Sequence, residues 1–427
     1  MSEQLALLGG PRTVTMQEEL HASTRSMFIG KDEQAAVIQA MNRPDLYSPT
    51  AEVEKDFADY HGVSYALGQC NGTSTLQAAF FAVGVKPGDE VICPAYTWHL
   101  AVSAILTLHA IPVFCDIDPQ GLWMCPEDLR SKITPRTKAI SVLHTYGAVA
   151  PMDAIMEVAR DHGLPVIEDA SHAHGAVYKG RKVGTIGDIG CFSLQASKLL
   201  SAVEGGVMIT DNRDYYERAV LLVHYERIST LETDTYKKYI PPHPGAYASF
   251  GYKYRMHPWA AAMARVQLGS LDARNAVRDR GAQYLNAGIR KLGDVLVPPP
   301  DSPGVQRTWL NHICQYFEEK MDGISRDRFV EALYAEGLPA GAGRAGYLPV
   351  YWNPLYRERN MWDEGCPFDC CHSQAKVDYA EPHCPEAEKL WKRTVGLPVF
   401  CNACDDALLD QCIEAIAKVM RNRQQLK

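Results

Sequence analysis

The sequence predicts an α/β protein built on a largely parallel sheet, followed by a smaller α+β region. Three observations carry this. From about Pro44 to Thr210, short apolar runs alternate with helical segments of roughly 10–15 residues, the texture of βαβ units whose sheet is buried on both faces. A hydrophobic fraction of 46% with 22% charged residues is that of a folded globular chain. At 427 residues the chain has room for two or three domains of roughly 150 residues each, and the texture changes near Pro298-Pro299-Pro300 and Asp301-Ser302-Pro303-Gly304.

The elements follow in order. Ala51 to Tyr60 reads as a helix leading to a short strand and the turn Cys70-Asn71-Gly72-Thr73-Ser74, and Thr75 to Val83 as the next helix. Glu90 to Cys93 is a strand ended by Pro94, His99 to His109 a helix, and Val113 to Asp116 a strand. Ala139 to Leu143 is a further strand, followed by a helix from about Asp153 to Asp161. Pro165 to Asp169, Gly190 to Ser193 and Gly206 to Thr210 complete the strands. A single helix is expected from about Trp259 to Arg274. Beyond the proline-rich break come a strand at Ile313 to Phe317 and helices near Ile324 to Glu336 and Asp406 to Asn422. The expected division is a large domain over 1–275, including the N-terminal segment, and a small domain over 276–427. No repeat of roughly 20–50 residues is visible.

Charge and patterning exclude several functions. Lys+Arg 43 against Asp+Glu 51 gives −8, with no basic block, which argues against gripping nucleic acid or an anionic membrane. The longest apolar stretch, Ala101 to Cys115, is interrupted by Ser103, Thr107, His109 and Pro112 and is too short and polar to span a bilayer. Glu3, Glu18 and Glu19 sit where an export signal would need an apolar core, so export is not expected. The 13 cysteines then read as reduced thiols of a cytoplasmic protein. Six fall late (Cys366, Cys370, Cys371, Cys384, Cys401 and Cys404), near His372 and His383. Their spacing does not repeat as zinc knuckles, so no metal is expected and the thiols read as small buried side chains.

Ligands of parallel sheets sit at the carboxyl ends of the strands, and three segments there carry chemistry. Gly72-Thr73-Ser74 opens a helix with small residues, so free backbone N–H groups and a positive dipole end face a phosphate. The same turn also suits a plain N-cap. Asp169 ends an apolar strand, where a carboxylate needs a cation or several donors; it suits a protonated ring nitrogen, or a loop cap. Lys198 follows the strand ending at Ser193 within a turn of small polar residues. Burial there lowers the pKa of an amine and makes it a Schiff-base nucleophile, although most loop lysines are merely solvated.

The order of these segments, with the lysine 29 residues after the aspartate, resembles fold-type-I pyridoxal phosphate (PLP) enzymes. More closely, the chain resembles the DegT/StrS family of sugar aminotransferases. The matching stretches are Leu8 to Pro11, Asn71-Gly72-Thr73, Pro87 to Ile92, Pro94 to Trp98, Val113 to Asp118 and His144 to Gly147. Glu168-Asp169-Ala170, Ser193 to Lys198, Gly251 to Met256, Cys384 to Glu388 and Leu397-Pro398 complete the set, which covers essentially the whole chain. The resemblance implies a mainly parallel seven-stranded sheet between helices, and a homodimer with active sites at the subunit interface. It implies that Lys198 forms the Schiff base with PLP and shuttles the proton, while Asp169 keeps the pyridine nitrogen protonated. Trp98 would stack on the ring, Gly72, Thr73, Ser74 and Ser193 would bind the phosphate, and His172 would stand where the family often has glutamine, near the phenolic oxygen. Lys253 replaces an asparagine that reaches the neighbouring subunit's phosphate, and Pro258 replaces an acidic residue. A lysine at 198, where the family's dehydratases carry histidine, implies full transamination.

Gly346 to Leu355 and the Cys-Pro-Glu-Ala-Glu stretch resemble the branch that aminates cyclic ketones such as scyllo-inosose and includes aminohydroxybenzoate synthases. The expected activity is therefore transfer of an amino group from L-glutamine or L-glutamate to a keto-sugar or cyclic ketone. Elimination, cyclisation or aromatisation on the same scaffold stays open, as does a PLP-binding regulatory protein with little turnover. Arg307, His312 and Arg344 are candidate contacts for substrate hydroxyls or a donor carboxylate.

Overall fold

The computed structural model describes residues 3–25, 29–240, 243, 249, 251–342, 346–359, 367–368, 378–379 and 384–427. Seven strands form the main sheet: β1 (Tyr65–Gln69), β2 (Glu90–Pro94), β3 (Ile111–Cys115), β4 (Thr137–Leu143), β5 (Val166–Asp169), β6 (Ile189–Ser193) and β7 (Gly206–Thr210). Their spatial order is β1-β7-β6-β5-β4-β2-β3. Strands β2 to β6 pair in parallel, and β7 is antiparallel to both β6 and β1.

Both faces of this sheet are buried, and the alternation of side chains shows it. Leu67, Val91, Ala139, Ile167, Cys191 and Met208 join one apolar core, and their chain neighbours Ala66, Ile92, Ile140, Val166, Phe192 and Val207 join another. A strand sends successive side chains to opposite faces, so runs such as Val91-Ile92-Cys93 are uniformly apolar because both sides are packed. Strand β3 begins two residues before the expected Val113 and includes Pro112, which an edge position tolerates.

Helices α1 (Ser48–His61), α2 (Gly72–Ala82), α3 (His99–Leu106) and α4 (Met152–His162) cover the sheet. Helix α3 stops short of the expected His109, whose backbone turns left-handed at φ 56°. The helix expected over Trp259–Arg274 is two helices, α5 (Pro258–Gly269) and α6 (Leu271–Lys291), which meet at Ser270, with φ −104° and ψ 0°. A Gly-Ser pair is a common place for such a break. Position 275, the expected boundary, lies inside the continuous helix α6.

A second, antiparallel sheet carries the C-terminal region: β8 (Leu296–Val297), β9 (His312–Tyr316), β10 (Gly341–Ala342) and β11 (Thr394–Leu397), in the order β8-β9-β11-β10. With α7 (Arg326–Ala335) and α8 (Asp406–Arg421) it encloses a third core. The N-terminal segment, expected with the large domain, instead packs Leu5, Val14 and Leu20 into this core. Its apolar residues are too few for a core of their own, and Glu336 fixes the segment by accepting from the amides of Ala6 and Thr13.

Among the described residues no helix is long and apolar enough to cross a membrane, and no cluster of His, Cys, Asp or Glu is placed to hold a metal ion. Cys366, Cys370, Cys371, His372 and His383 lie outside the described residues.

Candidate active site

The carboxyl ends of β5 and β6 meet the start of α2. Asn71 caps that helix: its side chain accepts from the Ser74 amide at 2.8 Å, and the Ser74 hydroxyl donates to the Asn71 carbonyl at 2.7 Å. The first-turn amides of Gly72 and Thr73 have no partner within the helix and point along its positive end. Two glycines let three segments close on this point. A Cβ on Gly72 would lie 2.6 Å from the Ser193 Cβ, and one on Gly206 would lie 2.4 Å from the Asn71 carbonyl oxygen.

Period two along β5 separates two adjacent carboxylates. Glu168 is fully buried and accepts from His144 Nε2 at 2.9 Å and from the amides of Gly184, Ile186 and Gly187. Burial alone would push it up, but His144 and those amides hold it below the ordinary glutamate value. Asp169 faces the cavity, 5% exposed, and accepts from the Ser171 amide at 3.1 Å. Burial raises its carboxyl, opposed by Ser171 and by the charge of Lys198. The Ser171 hydroxyl in turn accepts from the Ser193 amide at 3.0 Å, tying β5 to β6.

Lys198 sits on a tight turn. Its amide donates to the Gln195 carbonyl at 2.9 Å, while the Gln195 side chain accepts from the Ser197 amide and hydroxyl. Burial lowers the Lys198 pKa, and Asp169 opposes that shift. A lysine with a weakened hold on its proton beside a buried carboxylate is an amine poised to act as a nucleophile. His172 is buried between aromatic rings, stacked on Tyr146 with an interplanar angle of 5°. Burial, and then Lys198 and His174, push it well below the ordinary histidine value, so its ring is neutral.

Seven of the nine residues singled out from the sequence (Gly72, Thr73, Trp98, Asp169, His172, Ser193 and Lys198) line one cavity of about 520 Å³. Two do not. The amide and hydroxyl of Ser74 are both held by Asn71, so Ser74 caps α2 and does not line this cavity. Lys253 is exposed and outside this cavity, with Nζ 5.6 Å from the Tyr225 ring centroid. Arg307 lines a separate cavity of about 380 Å³ and stacks 3.8 Å from the Trp309 ring centroid. His312 is buried against Asn286 at 2.7 Å. Neither lines the Lys198 cavity; Arg344 lies outside the described residues. Sequence reasoning passed over Ser171, Gln195, Glu204 and Tyr347, which also line the cavity. Ser171 was detectable, two residues beyond Asp169; Tyr347, far along the chain, packs against the main sheet's core, and no local pattern places it there.

A mainly parallel seven-stranded sheet with a lysine and a strand-end aspartate at its carboxyl edge defines a fold-type-I PLP aminotransferase scaffold. The chain belongs to the DegT/DnrJ/EryC1/StrS aminotransferase family, whose model matches residues 28–417. It is 35% identical over 385 residues to the L-glutamine:2-deoxy-scyllo-inosose aminotransferase of Streptoalloteichus tenebrarius, covering 87% of this chain and 86% of that one. It is 38% identical over 363 residues to the L-glutamine:scyllo-inosose aminotransferase of Streptomyces griseus, covering 84% of each. The structure of 3-amino-5-hydroxybenzoic acid synthase superposes with a TM-score of 0.76 at 29% identity, over 92% of this chain and 97% of that one. The protein is thus an aminotransferase of the group that acts on sugars and cyclitols.

Proposed function

We propose that this enzyme moves the amino group of L-glutamine to a cyclic ketone of the scyllo-inosose type, with PLP held in the 520 Å³ cavity. The observation that carries the reading is the 35% identity to a 2-deoxy-scyllo-inosose aminotransferase over 385 residues, a span that includes the chain's Lys198 and Asp169 neighbourhood within the family match. The residues fit the cofactor. The lack of a Cβ at Gly72 lets the helix start close on Ser193, so two helix-start amides and the Ser193 hydroxyl stand together as a cradle for a phosphate. Asp169 is a buried carboxylate that a pyridinium would neutralise.

Each residue then has a task. The amides of Gly72 and Thr73 and the Ser193 hydroxyl bind phosphate. Asp169 would hold a proton on the ring nitrogen. Trp98, 51% exposed at the cavity, would pack on the cofactor ring. Lys198 Nζ would hold the cofactor and would carry the proton at the substrate carbon. Bound PLP supplies an electron-withdrawing ring that stabilises a carbanion. Lys253, exposed on its own chain, would reach the phosphate in a second copy of a homodimer, as a point charge. The working place of the enzyme is the cytoplasm.

The test is incubation with nitrogen-labelled L-glutamine and scyllo-inosose. Label in an aminocyclitol supports the reading, and a cofactor-loaded enzyme that leaves every cyclic ketone unlabelled ends it. The likeness to the aminohydroxybenzoic acid synthase gives a second reading, aromatisation of an amino-bearing ring, which the same assay reveals as an aromatic product.

A further inference from the structure

The His172 ring is held in one tautomer by its surroundings. Nδ1 accepts from the Tyr146 amide at 3.4 Å, so in the neutral ring the proton sits on Nε2. Nε2 lies 3.2 Å from the Tyr347 hydroxyl and donates to it. A phenol oxygen that accepts from Nε2 keeps its own O–H to give. Tyr347 lines the cavity with Lys198 and Asp169, so that O–H is offered there.

The position of Tyr347 is built rather than incidental. Its ring stacks on Tyr146 at 5.0 Å and on His172 at 5.9 Å, with Tyr96 and Trp98 each 5.9 Å away. A Cβ on the preceding Gly346 would come within 2.6 Å of the Tyr96 hydroxyl, so only glycine permits this approach. The Val350 amide donates to the Ala95 carbonyl at 2.9 Å and pins the segment to the end of β2. The groups facing the Tyr347 hydroxyl are His172, Tyr146, Tyr96 and Asp169, with Lys198 across the cavity.

The geometry points to Tyr347 as the hydroxyl that donates to the phenolic oxygen of the cofactor, with His172 behind it as the positioning residue that fills its acceptor site. This rests on the PLP reading above and moves the donor from His172, where the resemblance places it, to Tyr347, packed against the main sheet's core. The chain of donors runs from the Tyr146 amide through His172 to Tyr347 and then to the ligand.

The test is the visible absorbance of the bound cofactor as a function of pH, in wild type and in Tyr347→Phe, which removes one oxygen and keeps the stacked ring. A donor at the phenolic oxygen stabilises the form with more negative charge there, so its loss holds the titrating proton to higher pH. The midpoint is expected to rise by about one unit, a tenfold change. An unmoved midpoint in a variant that retains its cofactor overturns the inference while leaving the PLP reading intact. A wild-type protein with no visible band overturns both. His172→Ala, which removes the donor into Tyr347, is expected to shift the midpoint in the same direction, and no shift there also overturns the proposed relay.

Discussion

Gly72 and Ser193 come from segments over a hundred residues apart, yet a single methyl group on Gly72 would lie 2.6 Å from the Ser193 Cβ and 3.0 Å from its Cα. The helix start and the strand end therefore touch through a missing side chain. Gly72→Ala should push α2 off β6 and spoil the phosphate cradle. Overpacking of this kind costs about 1–3 kcal/mol, so a lower thermal midpoint is expected together with at least tenfold weaker cofactor binding, read by titration of the apoenzyme with PLP. Wild-type affinity in the variant would show that the cradle lies elsewhere.

Asp169 is the second point of leverage. Asp169→Asn keeps the shape and the Ser171 contact but removes the charge that retains a proton on the ring nitrogen. The variant should fold and bind cofactor, while kcat falls by about 10²–10⁴-fold, the usual worth of a positioned proton-transfer group. Steady-state rates with glutamine and scyllo-inosose measure it. A kcat within a few-fold of wild type would remove Asp169 from the mechanism.

Lys253 gives a prediction about assembly. Lys253→Ala and Lys198→Ala subunits should each be inactive alone. Mixed at random, half of the dimers are hybrids, and in each hybrid one site regains both lysines, so about a quarter of wild-type activity returns. If re-equilibrated mixtures recover nothing above either parent, Lys253 does not act across an interface.

The large domain was legible because its signals are local. The uniform apolar runs of β2, β4 and β6 and the glycine-opened helix at Gly72 each declare themselves within about ten residues. Strand ends suggested that Asp169 and Lys198 share one edge of the sheet, and their order and spacing carried the resemblance that pairs them. Ser74 shows the limit of a local pattern: a phosphate turn and a capping box share one sequence, and its bonds to Asn71 show it capping the helix. Arg307 and His312 stood as candidate contacts, but His312 is buried against Asn286 and the half-buried Arg307 stacks on Trp309 at a separate cavity. Tyr347 and the N-terminal segment depend on contacts spanning hundreds of residues, which no local pattern encodes.

Buried histidines set the acid limit of the fold. Burial is the leading cause in each case: His61 and His224 are pushed down to about 4, and His174 and His312 to about 3. In the unfolded chain each takes up a proton near pH 6.5, while the folded protein resists until pH 3–4. The unfolded state therefore binds more protons over this window, so stability is full above about pH 6.5 and declines as pH falls toward 4. One such group, shifted as His61 is, is worth about 3 kcal/mol. The thermal midpoint should accordingly drop steadily between pH 6.5 and 4.5. His61 stacks on Phe57 at 4.7 Å, so His61→Phe keeps a flat ring in place and should make that decline shallower. A wild-type midpoint level across the window would mean that these rings are hydrated and titrate normally.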